Sequence, residues 1–256
     1  METAGIGALI ERMNGQLAEL RTAGDRRAAF HATYTRTTEA VGAALADGFF
    51  LDTAWVEQWD IAFAKLYLDA LDADRRGEPV PRPWAVAFGA AAAAKRLPDL
   101  RLILLGMNAH INYDLPRALL AVISDAEFAD PAVIARREAD HTRIDEVLAS
   151  RVGSEDAELA ARGRSFTDTV LQPLNRLATK RLLRESRRKV WANAVALSAS
   201  RRAGGQKGAA GAAHQRQLAE LEELSAARVA DLMRPGPVLL RLAAGGFGVL
   251  LADAGG

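Results

Sequence analysis

LILLGMNAHINYDLP, residues 102–116, is an apolar run that abruptly carries four polar side chains, Asn108, His110, Asn112 and Asp114. Burying polar groups is costly unless each finds a partner. A core segment that carries four of them is either a hydrogen-bond network or a site. Asp99 is placed to cap the helix that the run predicts, and Pro116 disfavours helix at Leu115, so a helix end or kink is expected there. His110 and Asp114, four residues apart, share one helical face, and a carboxylate beside an imidazole orients the ring and raises its basicity. The same spacing can chelate a metal ion. Asn108 and Asn112 form a second pair turned away from the first, with Tyr113 adjacent.

Outward from this run the pattern is helical nearly everywhere. Ala, Leu, Arg and Glu dominate, apolar residues recur at spacings of three and four, and strict alternation is scarce. Helices are expected over 3–22, 26–46, from Asp52 or Thr53 to about Leu71, 84–96, 116–124, from Asp130-Pro131 to about Arg151, 154–185 with a kink at Pro173, 186–202 and 214–233. The stretch 74–83 holds Gly77, Pro79, Pro81 and Pro83 and reads as a loop. Residues 203–213 are small and flexible in composition, a loop rather than a domain boundary. The tail, 235–256, is apolar; its stretch 238–251 is too short to span a bilayer and is expected to pack as a final core helix. The expected architecture is a single all-α domain over 1–256, a bundle of roughly eight to ten helices.

Composition narrows the function. The 256 residues are 50% hydrophobic and 25% charged, with a net charge of +1. That balance gives no electrostatic ground for a nucleic-acid partner. Arginines and lysines concentrate over 176–202, where a solvated face balanced by acidic residues is the expected reading and a phosphate-bearing ligand the sharper one. No apolar run reaches the roughly 18 residues of a membrane span, and the N-terminus lacks the pattern of a signal peptide. Cytoplasm is the expected compartment. With no cysteine there is no disulfide, thiolate metal site or cysteine nucleophile. No nucleophile elbow, phosphate loop or HExxH motif is present.

Two further clusters matter. His141 and Asp145 repeat the His-x-x-x-Asp spacing, and two such pairs on facing helices can make a four-ligand site. The strongly charged neighbours of His141 favour a solvated face instead. Asp140 lies near the buried stripe marked by Ile144. On the helix Trp59–Tyr67, Asp60 sits among aromatic residues and is the expected partner of His110 from another helix. His31 reads as a surface or interhelical residue.

Trp55-Val-Glu-Gln-Trp-Asp60, Phe63-Ala-Lys-Leu-Tyr67, Trp84-Ala-Val-Ala-Phe88, Leu105 to Pro116, Asp140 with Ile144-Asp-Glu-Val-Leu148, and Arg188, Trp191 and Ala194 together resemble a large actinobacterial all-helical domain-of-unknown-function family, family 5995. The resemblance runs over most of 30–200. It implies an all-helical fold and no established activity. The family pattern tends to carry Asn where this chain has Asp145 and does not demand His at 141, which leaves His110, Asp114 and Asp60 as the firmer candidates. A fainter similarity to helical zinc phosphodiesterases rests on His-x-x-x-Asp before a proline, but such sites need further histidines close by, and this chain has four in all.

The leading expectation is therefore an enzyme of specialised or lipid metabolism acting on a small molecule. Its acid–base centre would be His110, Asp114 and Asp60, with Asn108, Asn112, Tyr113 and Tyr67 binding substrate. Condensation, cyclisation and hydrolysis all suit such a centre. One alternative is a metal-dependent hydrolase with a divalent ion on His110, Asp114 and Asp60. The other is a non-catalytic ligand-binding or structural bundle whose polar residues fix helix register. No pattern in the sequence encodes an oligomeric state.

Overall fold

The run 102–116 does not break at Pro116. In the computed structural model Asp99–Ala109 (α5) continues through a π-helical turn, His110–Asp114, into Leu115–Val122 (α6). Within the turn the Leu115 N–H bonds back five residues to His110 O. A proline inside a helix leaves one carbonyl without its donor and crowds the preceding turn; widening the turn by one residue lets the rod absorb Pro116 and continue. Asp99 is the first residue of α5 rather than its cap. Pro98 holds the cap position without a side-chain bond.

The structure describes residues 5–93, 97–160, 166–204 and 209–252, with side chains left out at 149–180, 182–183, 204–210, 239 and 243. Before the central rod come Ile6–Thr22 (α1), Ala28–Ala46 (α2), Thr53–Arg75 (α3) and Arg82–Ala93 (α4). After it come Asp125–Ala129 (α7), Pro131–Ala160 (α8), Phe166–Gly204 (α9), Ala209–Met233 (α10) and Val238–Gly245 (α11). No strand occurs among the described residues, so the expected all-α class holds.

Local chemistry explains several boundaries. Asp52 starts α3 by accepting from the Trp55 N–H at 3.1 Å. Ser124 and Glu127 form a reciprocal capping box on α7. Asp130 caps α8 through the N–H groups of Ala132 and Val133, with Pro131 at the first helical position. The expected helix 154–185 is divided, with 154–160 belonging to α8 and 166–185 continuing through 186–202 in α9, while 161–165 and the side chain of Pro173 lie outside the described residues. The expected loop 203–213 is helical at Gly204 and from Ala209 onward, and 205–208 lie outside the described residues. Among the described residues of the tail, α11 is the α-helix. The chain then leaves helix at Gly246, whose φ of 73° is one that side-chain-bearing residues rarely adopt.

Three apolar clusters fill the bundle, two of them large. One, with Met13, Phe30, Tyr67, Leu68, Trp84, Leu105 and Phe247, joins α1–α5, α10 and the tail. The other, with Val56, Trp59, Leu119, Ile144, Val190 and Trp191, joins α2, α3 and α6–α9. Phe63 and Ile111 pack against both. The π-turn thus stands at the seam between the two, which is where its polar residues meet side chains from other helices.

Candidate functional site

His110 and Asp114 lie at the two ends of the π-turn and bond directly, His110 Nδ1 to Asp114 Oδ2 at 2.9 Å. The same oxygen accepts from the Trp84 indole N–H at 2.8 Å, and Arg117 stands 3.6 Å from Oδ1. Asp114 is 1% exposed and makes no capping bond. The partner of His110 is therefore Asp114 on its own turn, not Asp60. The reason is local, because a wide turn places residues four apart side by side.

The imidazole lies in an aromatic box. Phe63 stacks on it face to face at 3.6 Å, and Tyr34 meets it edge-on at 4.5 Å between ring centroids. Phe30, Tyr67 and Trp84 complete the surround. Burial pushes the His110 pKa down, and the Asp114 carboxylate opposes this only in part. The ring is thus neutral, with its proton on Nδ1 facing the carboxylate and a lone pair on Nε2. Nε2 is buried and has no hydrogen-bond partner among the described residues.

Among the described residues two more buried polar atoms, Tyr34 Oη and Asp60 Oδ2, lack a close hydrogen-bond partner, with the Thr38 side chain beside the Tyr34 hydroxyl. Burial pushes the Asp60 carboxyl up to about 7. Tyr34 is raised by burial and then by the Asp60 charge, which marks the two as neighbours. Asp60 sits one turn before Phe63 on α3, so the two side chains share a face.

The other expected residues have different employment. Asn108 and Asn112 are fully buried and donate to Phe247 O at 3.1 and 3.0 Å, so they hold the C-terminal segment rather than face the His110 box. Tyr113 packs with Leu197, Leu221, Val249 and Leu251 under the Arg117 guanidinium, and burial raises its hydroxyl to about 12. Tyr67 lies in the box, but its hydroxyl donates to His31 Nδ1 at 2.9 Å while His31 Nε2 donates to Met13 O at 2.8 Å. His31 is accordingly a fully buried link between α1, α2 and α3, not a surface residue.

His141 corrects a second expectation. It is buried between Trp59 and Trp191, with ring centroids 5.4 and 5.2 Å away, rather than on a solvated face. Of the charged neighbours that suggested solvent, Arg136, Glu138 and Glu146 are exposed, whereas Arg137 and Arg143 are half-buried and bond to Asp52, Glu127 and the Phe49 carbonyl. Asp145 pairs instead with the buried Arg187 at 2.6 Å. Both carboxylate oxygens of Asp140 accept backbone N–H groups, from Leu51 at 2.7 Å and Asp52 at 2.8 Å. Among the described residues no three His, Asp or Glu side chains gather as metal ligands. Of the donor set expected for a divalent ion, His110 and Asp114 bond to each other, and Asp60 does not gather with them as a third ligand.

A cleft approaches the box from outside. It is shallow, with Arg26 and Arg27 among its lining residues. Phe30, Tyr67 and Trp84 line it, and these rings also surround His110. One layer of aromatic side chains therefore separates the cleft from the imidazole. Gly106 lies behind Phe30, and a Cβ there would collide with that ring. The residues that sequence reasoning passed over, Tyr34, Phe30 and Trp84, are aromatic and looked like ordinary core; only the three-dimensional surround reveals them.

The chain belongs to the family described as "Family of unknown function (DUF5995)", whose sequence model matches residues 6–235. No curated protein and no solved structure matches it.

Proposed function

We propose that this chain is an enzyme that performs acid–base chemistry on a small, mainly apolar molecule, with His110 Nε2 as the group that takes and returns a proton. The observation that carries the reading is the asymmetry of His110. Nδ1 is fixed by a carboxylate that Trp84 also holds, while Nε2 is buried, uncharged and unengaged. A carboxylate that orients an imidazole and stabilises its cation is the supporting half of the arrangement used in general-base catalysis. Asp60 and Tyr34 are the polar groups placed to meet the substrate's own polar atom, and the rings supply apolar contact. The chemistry fits a proton transfer within condensation, cyclisation or hydrolysis, in specialised or lipid metabolism.

A second reading has a specific observation in its favour. The Asn108 and Asn112 amide N–H groups and the Tyr67 hydroxyl all make internal bonds, as in a structural network. Incubating the protein and its His110→Gln variant with small-molecule extracts, followed by mass spectrometry, separates the two. The enzyme reading expects a compound to be consumed over time by the parent chain and spared by the variant, with both proteins still folded. If nothing is consumed or bound and His110→Gln only lowers the melting temperature, the network reading holds.

A further inference from the structure

Residues 246–251 follow α11 without helix, yet they are bound in detail. Asn112 Nδ2 donates to Phe247 O at 3.0 Å, and its Oδ1 accepts from the Val249 N–H at 3.2 Å. Asn193 repeats the pattern two residues on, donating to Val249 O at 3.0 Å and accepting from the Leu251 N–H at 2.9 Å. Each side-chain amide thus engages the carbonyl before and the N–H after one residue, first Gly248 and then Leu250. A neighbouring strand does the same in a parallel ladder, so the two asparagines stand in for a sheet edge. Asn108 gives Phe247 O a second donor, and Lys189 Nζ reaches Gly248 O at 3.2 Å. All three asparagines are fully buried.

The side chains show the same regularity. Phe247, Val249 and Leu251 are buried, whereas Leu250 is 39% exposed. Gly248 cannot be replaced freely, because a Cβ there would stand 2.8 Å from Ser186 Cα and 3.1 Å from Ser186 Cβ on α9. The three asparagines lie within the residues that the family's sequence model matches, and the segment they hold lies beyond its end at 235.

We propose that the groove formed by the π-turn, α9 and α10 is a binding site for an extended polypeptide of the pattern aromatic–Gly–aliphatic–any–aliphatic, and that residues 247–251 are its ligand in cis. Two buried amides read the main chain, the lack of space over Ser186 selects glycine, and alternate apolar pockets read the rest. The site does not depend on the acid–base reading of His110.

Amide hydrogen exchange on the full chain tests it first. The Val249 and Leu251 N–H groups should exchange at least about a hundredfold more slowly than in a free peptide. Gly248→Ala should bring both close to the free rate while the helical circular dichroism remains. That variant should then bind a labelled peptide of residues 244–252 added in trans. The parent chain, whose groove is filled, should not bind it, and neither should a Gly248→Ala/Asn193→Ala chain. A peptide that itself carries Gly248→Ala should not bind the emptied groove. Unprotected amides in the parent chain, protection that survives Gly248→Ala, or an emptied groove that ignores the peptide would each overturn the proposal. Asn193→Ala, which opens one end of the ladder, repeats the exchange measurement under a milder change. Collapse of the helical signal in both variants would make the segment part of the core and overturn the proposal equally.

Discussion

His110 and His141 carry the same signature, an aspartate four residues on, and both are buried against rings presented by α3, Phe63 to one and Trp59 to the other. Their aspartates behave in opposite ways. Asp114 turns to its own histidine at 2.9 Å, while Asp145 pairs with Arg187 at 2.6 Å and His141 Nε2 has no hydrogen-bond partner among the described residues. The spacing sets what can reach what. The partner is decided by competition, and a buried guanidinium outbids a neutral imidazole for a carboxylate. Around His110 the nearest cation, Arg117, stays at 3.6 Å from the other oxygen, and the indole of Trp84 supports the imidazole instead of displacing it.

The comparison breaks hardest at the two aspartates. Asp145→Ala leaves the Arg187 guanidinium buried without its anion, a loss of about 4 kcal/mol. Burial already pushes Arg187 down, with Asp145 the group that holds it up, so this variant should also be the one whose stability depends on salt and pH. Asp114→Ala leaves two neutral donors, Trp84 Nε1 and His110 Nδ1, unsatisfied, and should cost less, about 3 kcal/mol. Urea unfolding of both variants checks the order. A larger loss at Asp114 would mean that the His110 side, not the Arg187 pair, is the tighter network.

Asp60 lies on α3 between the two rings, one residue after Trp59 and three before Phe63. Burial raises its carboxyl from the ordinary 3.8 to about 7. The folded state therefore holds its proton over a range in which the unfolded state has released it. Stability from this group is complete below about pH 4 and falls as pH rises towards 7. Asp60→Asn should be neutral at pH 4 and more stable than the parent chain by about 2 kcal/mol near pH 5.5. Thermal melts at the two pH values read this directly. A constant difference between them would show that the carboxyl is not the titrating group. If Asp60 also serves the substrate, the gain in stability should come with a loss of turnover, as strained polar sites usually show.

Helical class, the central run and the polar quartet were legible because they rest on residue type and periodicity. The choice of partner was not. Asp60 seemed the natural mate of His110 because Asp114 before Leu115-Pro116 has the form of a helix cap, and nothing in the letters announces a π-turn. His141 seemed solvated because Arg136, Arg137, Glu138, Arg143 and Glu146 are charged, yet Arg137, one turn before it, turns its guanidinium to Asp52 and Glu127 over the Trp55 ring rather than to solvent. The asparagines were read as ligand contacts because buried amides need partners. Their partner proved to be backbone some 135 residues further on, which no local pattern foretells.

The smallest effect asks whether the two histidines differ in solution as they do in structure. Both pKa values are pushed down by burial, but at His110 the Asp114 carboxylate works against the shift, and at His141 the Arg187 charge adds to it. A histidine depressed in the folded state binds its proton only in the unfolded chain near its ordinary value of 6.5. Each therefore contributes stability that is intact above about pH 6.5 and is lost as pH falls towards the folded pKa. The loss proceeds at up to about 1.4 kcal/mol per pH unit for each group, and it runs further for the more depressed one. His141→Gln should consequently flatten the decline in stability between pH 6.5 and pH 5 more than His110→Gln does. Urea midpoints at the two pH values measure both slopes. Equal flattening by the two variants would show that Asp114 gives His110 no electrostatic support, and would remove the asymmetry from which its role as a proton acceptor was argued.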